Sequence, residues 1–269
     1  MECNDLISVV IPNFNNGKYI ERCLESVLEQ TYDHLEVIVI DDCSTDESSD
    51  IIKRYAASDK RIVPVFNTEN VGVGSNRHNG IMMSKGRYLT TLDSDDIYIS
   101  SDKVAREYAL MQEKLASGLD NIIIFSRIVL LDANEKKIGL QNPVIKEEKI
   151  LNDIVRRTCM IPRDFLFTRE QYIRAGGFDM KIRIYEDWDL KIRLATENLF
   201  FYSGIDGIGY RRHGTGLSAV SPLDHIYWLG RIFIKNFHLL QSERLKTVRV
   251  FIRMLWRMLR NYLKKRFVK

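Results

Sequence analysis

The sequence predicts an α/β protein with a central, mainly parallel sheet and a helical C-terminus. Four short runs rich in Val, Ile, Leu and Phe recur within the first hundred residues, the make-up of strands. A helix-length stretch separates each run from the next, and that alternation implies parallel strands joined by crossover helices. From about Pro222 onward the chain turns helical, aromatic and basic.

Leu6–Ile11, Leu35–Ile40, Ile62–Phe66 and Arg87–Leu92 are the expected strands. Residues 18–30 place Tyr19, Ile20, Cys23, Leu24, Val27 and Leu28 on one helical stripe, and residues 47–57 and 75–84 also suit helices. Past residue 100 the pattern loosens: a helix from about Asp102 to Ala116, apolar runs over Ile122–Leu131, a charged segment at 146–158, a strand-like Phe165–Thr168 and a helix start near Arg169.

At 269 residues, with 45% hydrophobic and 28% charged residues, the chain has the make-up of one main globular domain, which excludes disorder. Its formal net charge of +4 hides an asymmetry: residues 244–269 carry ten Lys or Arg and no Asp or Glu, leaving −6 on the rest. A mildly acidic body argues against nucleic acid, and a basic tail asks for a local anionic partner such as lipid. Cys3, Cys23, Cys43 and Cys159 form no C-x-x-C pair, and no histidine stands at zinc-finger spacing, so a reduced compartment is expected. The first residues lack a basic n-region, and the apolar run ends at Pro12, too short for a signal or a span; a cytoplasmic protein is expected.

In such sheets ligands bind beyond the carboxyl ends of the strands. Those ends carry Asn13, Phe14 and Asn15, then Asp41 and Asp42, then Asp93, Ser94, Asp95 and Asp96. Carboxylates one residue apart at a strand end can share Mg²⁺ or Mn²⁺ with the oxygens of a diphosphate. The bland reading of an isolated D-x-D is a helix cap; its place after the fourth strand of this series favours the metal. Gly72-Val73-Gly74 lacks the third glycine of a dinucleotide fingerprint, because Arg77 stands there.

Ser8-Val9-Val10-Ile11-Pro12-Asn13-Phe14-Asn15, Val39-Ile40-Asp41-Asp42-Cys43-Ser44-Thr45-Asp46, Asn70-Val71-Gly72 and Gly86-Arg87-Tyr88-Leu89 running into Asp93-Ser94-Asp95-Asp96 resemble, in this order, family 2 of the inverting glycosyltransferases. The resemblance is strong over roughly residues 6–100 and continues more weakly to about 218. It implies the GT-A fold, a Rossmann-like nucleotide-binding sandwich. The expected division is a catalytic domain over 1–221, with a nucleotide-sugar half to about 100 and an acceptor half from about 101, then a basic amphipathic extension over 222–269.

Carried over residue by residue, the resemblance sets Pro12 and Phe14 against the nucleoside, beside Asn13 and Asn15, with Asp41 accepting from the uracil N–H. Asp93 and Asp95, flanking Ser94, would hold the metal and donor. Where the family usually has Ala-Arg-Asn, this chain has Asn76, Arg77 and His78; Arg77 would neutralise the diphosphate, against the alternative of a solvated helix-face arginine. Gly176-Gly177-Phe178-Asp179 followed by Glu186-Asp187 resembles the acceptor-site segment, which makes Asp187 the catalytic base and Glu186 its alternate. Tyr210-Arg211-Arg212-His213, with Ser218 beyond, resembles the late segment that closes over the phosphates, with His213 completing the metal shell and Arg211 or Arg212 near the diphosphate.

The expected function is therefore transfer of one sugar, hexosyl or N-acetylhexosaminyl, from a UDP-sugar to a saccharide or lipid-linked saccharide, with Mn²⁺ or Mg²⁺, in surface polysaccharide or glycolipid synthesis. Two alternatives stand beside it: a sugar nucleotidyltransferase, which calls for a glycine-rich basic loop that Pro12–Gly17 does not resemble, and a nucleotide-sugar-binding module without turnover. In the tail, Leu245, Val248, Ile252, Leu255, Leu259 and Tyr262 recur at helical spacing among Lys246, Arg249, Arg253, Arg257, Arg260 and Lys264. This suits a helix lying peripherally on the anionic cytoplasmic face of the inner membrane. Packing on the catalytic domain, or on a second subunit in a homodimer, is the bland alternative, and truncation after Ser242 is expected to leave a soluble protein that binds UDP.

Overall fold

The computed structural model describes residues 5–141, 143–212, 220–240 and 242–267, the side chains of 265–267 excepted. Its elements run β1 (Ile7–Asn13), α1 (Gly17–Leu28), β2 (Leu35–Asp41), α2 (Ser48–Ser58), β3 (Ile62–Phe66), α3 (Val73–Met83), β4 (Tyr88–Thr91), β5 (Ile97–Tyr98), α4 (Lys103–Ala116), β6 (Ile122–Leu131), β7 (Lys137–Leu140), α5 (Leu151–Arg156), β8 (Phe167–Thr168), α6 (Arg169–Arg174), α7 (Glu186–Leu194), β9 (Leu199–Arg211), α8 (Pro222–Asn236) and α9 (Arg244–Phe267).

The expected parallel sheet is present, with strand order β3-β2-β1-β4-β8; β1 pairs in parallel with β2 and β4, and β8 closes one edge antiparallel to β4. Side chains alternate between its faces. Ile7, Val9 and Ile11 of β1 pack with Ile20, Leu24 and Val27 of α1 and with Val104 of α4, whereas Val10 packs on the other face with Ile81 of α3 and the later helices. Gly80 lets α3 approach this closely, because a Cβ there would lie 2.4 Å from Val10 Cγ1.

A second sheet, β5-β9-β6-β7, has no counterpart in the sequence reading. Its centre is the parallel pair β6–β9, from Ile122 opposite Leu199 to Leu131 opposite Arg211. Short β5 pairs antiparallel with β9 and so carries the chain from the end of the first sheet onto the second.

The C-terminal helices pack into the main core. Leu229, Ile232, Leu240 and Phe251 share a buried cluster with Trp188 and Leu190 of α7. Phe251 stacks on Phe233 at 4.0 Å and on Trp188 at 6.3 Å between ring centroids. The tail stripe expected from sequence is therefore split: Leu255 packs inward with Met254 and Met258, while Leu245 and Ile252 face outward, 76% and 58% exposed. The inward face is built around Phe251, which that stripe omits. Among the described residues no helix is long and apolar enough to cross a membrane.

Candidate active site

Four chain segments meet beyond the carboxyl ends of β1, β2 and β4, and two of them are closed by carboxylate clasps. Asp41, buried at the end of β2, accepts from Asn13 Nδ2 at 2.7 Å, Ser44 Oγ at 2.6 Å, Ser44 N at 3.1 Å and Ser49 Oγ at 2.9 Å. Those four donors fill the lone-pair positions of a carboxylate, so a base N–H can reach Asp41 only by replacing a hydroxyl. Its neighbour Asp42 holds the loop before α3 by accepting from Val71 N, Gly72 N and Asn67 Nδ2 at 2.8–2.9 Å. Gly72 takes φ +87°, which suits a residue without Cβ at this bend. Pro12 and Asn13 are buried, whereas Phe14, 47% exposed, and Asn15 stand at the rim. Asn15 accepts from Thr45 N at 2.8 Å. Asn16, which the sequence reading did not single out, donates to Ser94 Oγ at 2.8 Å and joins the β1 loop to the acidic motif.

The acidic motif follows β4 directly. Asp93, Asp95 and Asp96 each offer one carboxylate oxygen within 4.8 Å of the others, a spacing that fits a hard divalent cation. Burial tends to raise the Asp93 carboxyl, but Arg163 and Arg77 hold it below the ordinary range; Asp96 is pushed well up by burial and by Asp95. Arg77 is not solvated. Its side chain is 1% exposed, its Nη2 lies 2.5 Å from Asp93 Oδ1 and its Nη1 pairs with Glu186 Oε1, so α3 ties the acidic motif to α7. A guanidinium paired on both sides by carboxylates, the Glu186 one buried, braces the site, and the solvated-face alternative is overturned.

Glu186 and Asp187 open α7 after Tyr185, which is held at φ +66°. Non-glycine residues rarely occupy this region, and such strain gathers at functional sites. Asp187 Oδ2 lies 2.6 Å from Lys191 Nζ one turn on, and Lys191 also donates to Ile161 O at 2.9 Å. Burial opposes the charged form of Asp187, yet Lys191, Arg163 and Arg77 together hold its carboxyl well below the usual range. Lys191 was missed in the sequence, although its i,i+4 spacing from Asp187 was a signal for it.

Arg163 was not legible. It stands in the irregular segment between α5 and β8, with Nη1 at 2.5 Å from Asp93 Oδ2 and Nη2 at 3.8 Å from Asp96 Oδ2. Arg211, at the end of β9, donates its backbone N–H to Asp96 Oδ1 at 3.1 Å and Nη1 to Asp95 O at 2.8 Å, while Nη2 pairs with Glu135. The second sheet thus braces the acidic motif. Arg212 is exposed. His213 and Ser218 lie outside the described residues.

The family model "Glycosyl transferase family 2" matches residues 8–170. Over 109 residues the chain is 40% identical to the putative teichuronic acid biosynthesis glycosyltransferase TuaG of Bacillus subtilis, a match covering 40% of this chain and 43% of that protein. Over 222 residues it is 32% identical to the chondroitin synthase of Escherichia coli, covering 81% of this chain and 30% of that one. The chain thus spans less than half the length of either relative. In fold it is similar to S. aureus TarS 1-349 in complex with UDP-GlcNAc, with a TM-score of 0.71 at 19% identity over 97% of this chain and 72% of that one.

Proposed function

The chain belongs to glycosyl transferase family 2, and from that premise we propose that it is an inverting transferase moving one sugar from a UDP-sugar to an acceptor hydroxyl in the synthesis of a surface polysaccharide or glycolipid. The observation that carries this reading is the joining, through Arg77, of a three-carboxylate cluster to the start of α7, where Asp187 is a separate, ion-paired carboxylate. The acceptor oxygen forms its bond to the anomeric carbon as the bond to the diphosphate breaks. UDP leaves with the electron pair, and Asp187 takes the hydroxyl proton. Asp187 is already ionised for that task, while Glu186, locked to Arg77, positions the segment. Asp93 and Asp95, aided by Asp96, are the residues that would hold Mn²⁺ or Mg²⁺, which when bound neutralises the diphosphate. Pro12, Asn13, Phe14 and Asn15 line the nucleoside side, and Asp41 shapes that side through Asn13 and Ser44.

TuaG and chondroitin synthase, as relatives named for polymer synthesis, support a saccharide or lipid-linked acceptor. Residues 1–221 carry the catalytic residues in this reading, and 222–269, packed on them, present an outward face to an anionic membrane surface on the cytoplasmic side. Incubation with a panel of nucleotide sugars and Mn²⁺, with release of UDP as the readout, tests the proposal. UDP binding by titration calorimetry without hydrolysis or transfer for any donor would favour a binding module instead.

A further inference from the structure

Arg163 stands on the carboxylates that a metal would need. Asp93 and Asp96, its partners at 2.5 and 3.8 Å, are two of the three acids whose oxygens close to within 4.8 Å. Its place is built: Thr91 Oγ1 donates to Arg163 O at 3.2 Å, Lys103 Nζ donates to Asp164 O at 3.1 Å, and the guanidinium carbon lies 6.0 Å from the Tyr210 ring centroid.

We propose that Arg163 is the resident counter-ion of this cluster, which a divalent cation must displace, so that metal binds tightly only together with a diphosphate that takes over the guanidinium's charge. The proposal rests on the metal-site reading given above. Each oxygen of Asp93 already faces a guanidinium, Oδ1 that of Arg77 and Oδ2 that of Arg163, so a cation shared by Asp93, Asp95 and Asp96 meets the Arg163 charge at contact distance. Arg77, 1% exposed and fixed between Asp93 and Glu186, cannot leave without opening the core. Arg163, at 24%, is at the rim and can. Without nucleotide, cation and guanidinium compete for the same oxygens. With a diphosphate bound, added negative charge accommodates both, so Arg163 couples donor binding to metal binding.

The test is Mn²⁺ binding to the full chain, followed by loss of the free-ion EPR signal with and without UDP, for the wild type and for Arg163→Gln, Arg163→Lys and Asp95→Asn. Arg163→Gln is expected to bind Mn²⁺ without UDP at least about tenfold more tightly, since one competing charge at contact distance has gone; Arg163→Lys should stay close to the wild type. UDP should narrow the gap between Gln variant and wild type. Unchanged or weaker Mn²⁺ binding by Arg163→Gln overturns the proposal. Should that variant be poorly folded alone, a melting temperature that Mn²⁺ raises more than in the wild type supports the proposal, and one indifferent to Mn²⁺ overturns it. Asp95→Asn separates the two readings: if it leaves Mn²⁺ binding intact with and without UDP, the metal site itself is misplaced, whereas loss there with no gain in Arg163→Gln refutes only the counter-ion role.

Discussion

Asp187 and Glu186 are adjacent in sequence and opposite in electrostatics. Burial raises the Glu186 carboxyl against the pull of Arg77, while Lys191, Arg163 and Arg77 bring Asp187 far below its ordinary value despite its burial. Asp187→Asn is therefore expected to keep UDP affinity and lower transfer by about 10²–10⁴-fold, the usual contribution of a general base. Parallel loss of UDP affinity would move the base assignment to Glu186. Asp164 gives a pH test of the packing behind the site. Burial, outweighing the charge of Arg163, pushes its carboxyl up to about 7 from 3.8. The unfolded chain thus releases this proton at lower pH than the folded one, so wild-type stability falls between those values and is level above them. Relative to the wild type, Asp164→Asn should gain on the order of 2–4 kcal/mol between pH 4 and pH 8 in urea melts; a gap that does not widen with pH contradicts this. Asp41, Asp93 and Asp95 were legible because a strand end and its next few residues are local. Arg163 and the burial of Arg77 were not, since their partners come from elements 16 to 109 positions away and no period marks them.

At the scale of elements, the first four strands were readable because each is a short β-rich run bounded by helical stripes. Ile122–Leu131 was not assigned, since a run apolar on both faces does not distinguish a buried strand from a buried helix, and its partner residues on β9 lie 77 to 80 positions downstream. Helix α9 shows the limit of amphipathic reading. It has two apolar faces, and the one seated on the protein contains Thr247, Phe251, Met254 and Met258. Phe251→Ala should cost about 3–5 kcal/mol in denaturant unfolding, the usual price of emptying a core aromatic site. Truncation after Ser242 removes the same ring from Trp188, the residue after Asp187, and is now expected to destabilise the fold and not to leave a sound UDP-binding unit. A truncated chain that melts like the full one would contradict this.

For the whole molecule, the proposed membrane contact falls to the outward face of α9. At 3.6 residues per turn Leu245, Ile252, Trp256 and Leu263 fall on one line, all of them exposed, with Arg249, Arg253 and Arg260 along one flank. Sedimentation with anionic vesicles, release by salt and weak binding to neutral vesicles are expected, each nearby Lys or Arg contributing about 1 kcal/mol. Ile252→Glu/Trp256→Glu should abolish pelleting and leave the melting temperature unchanged, because these side chains touch no core. Equal binding to neutral vesicles, or an altered fold in the double variant, argues for a subunit contact. The division of the site between two sheets also sets an order of assembly. β1 to β4 lie within the first 92 residues, so this sheet and its acidic motif can form while the chain is still being made. Arg163, Arg211 and Lys191 emerge only later, and β9 must close a long loop to reach β6. Until then the carboxylates repel one another with Arg77 as their early partner, so the closure that completes the second sheet is also the step that discharges the site.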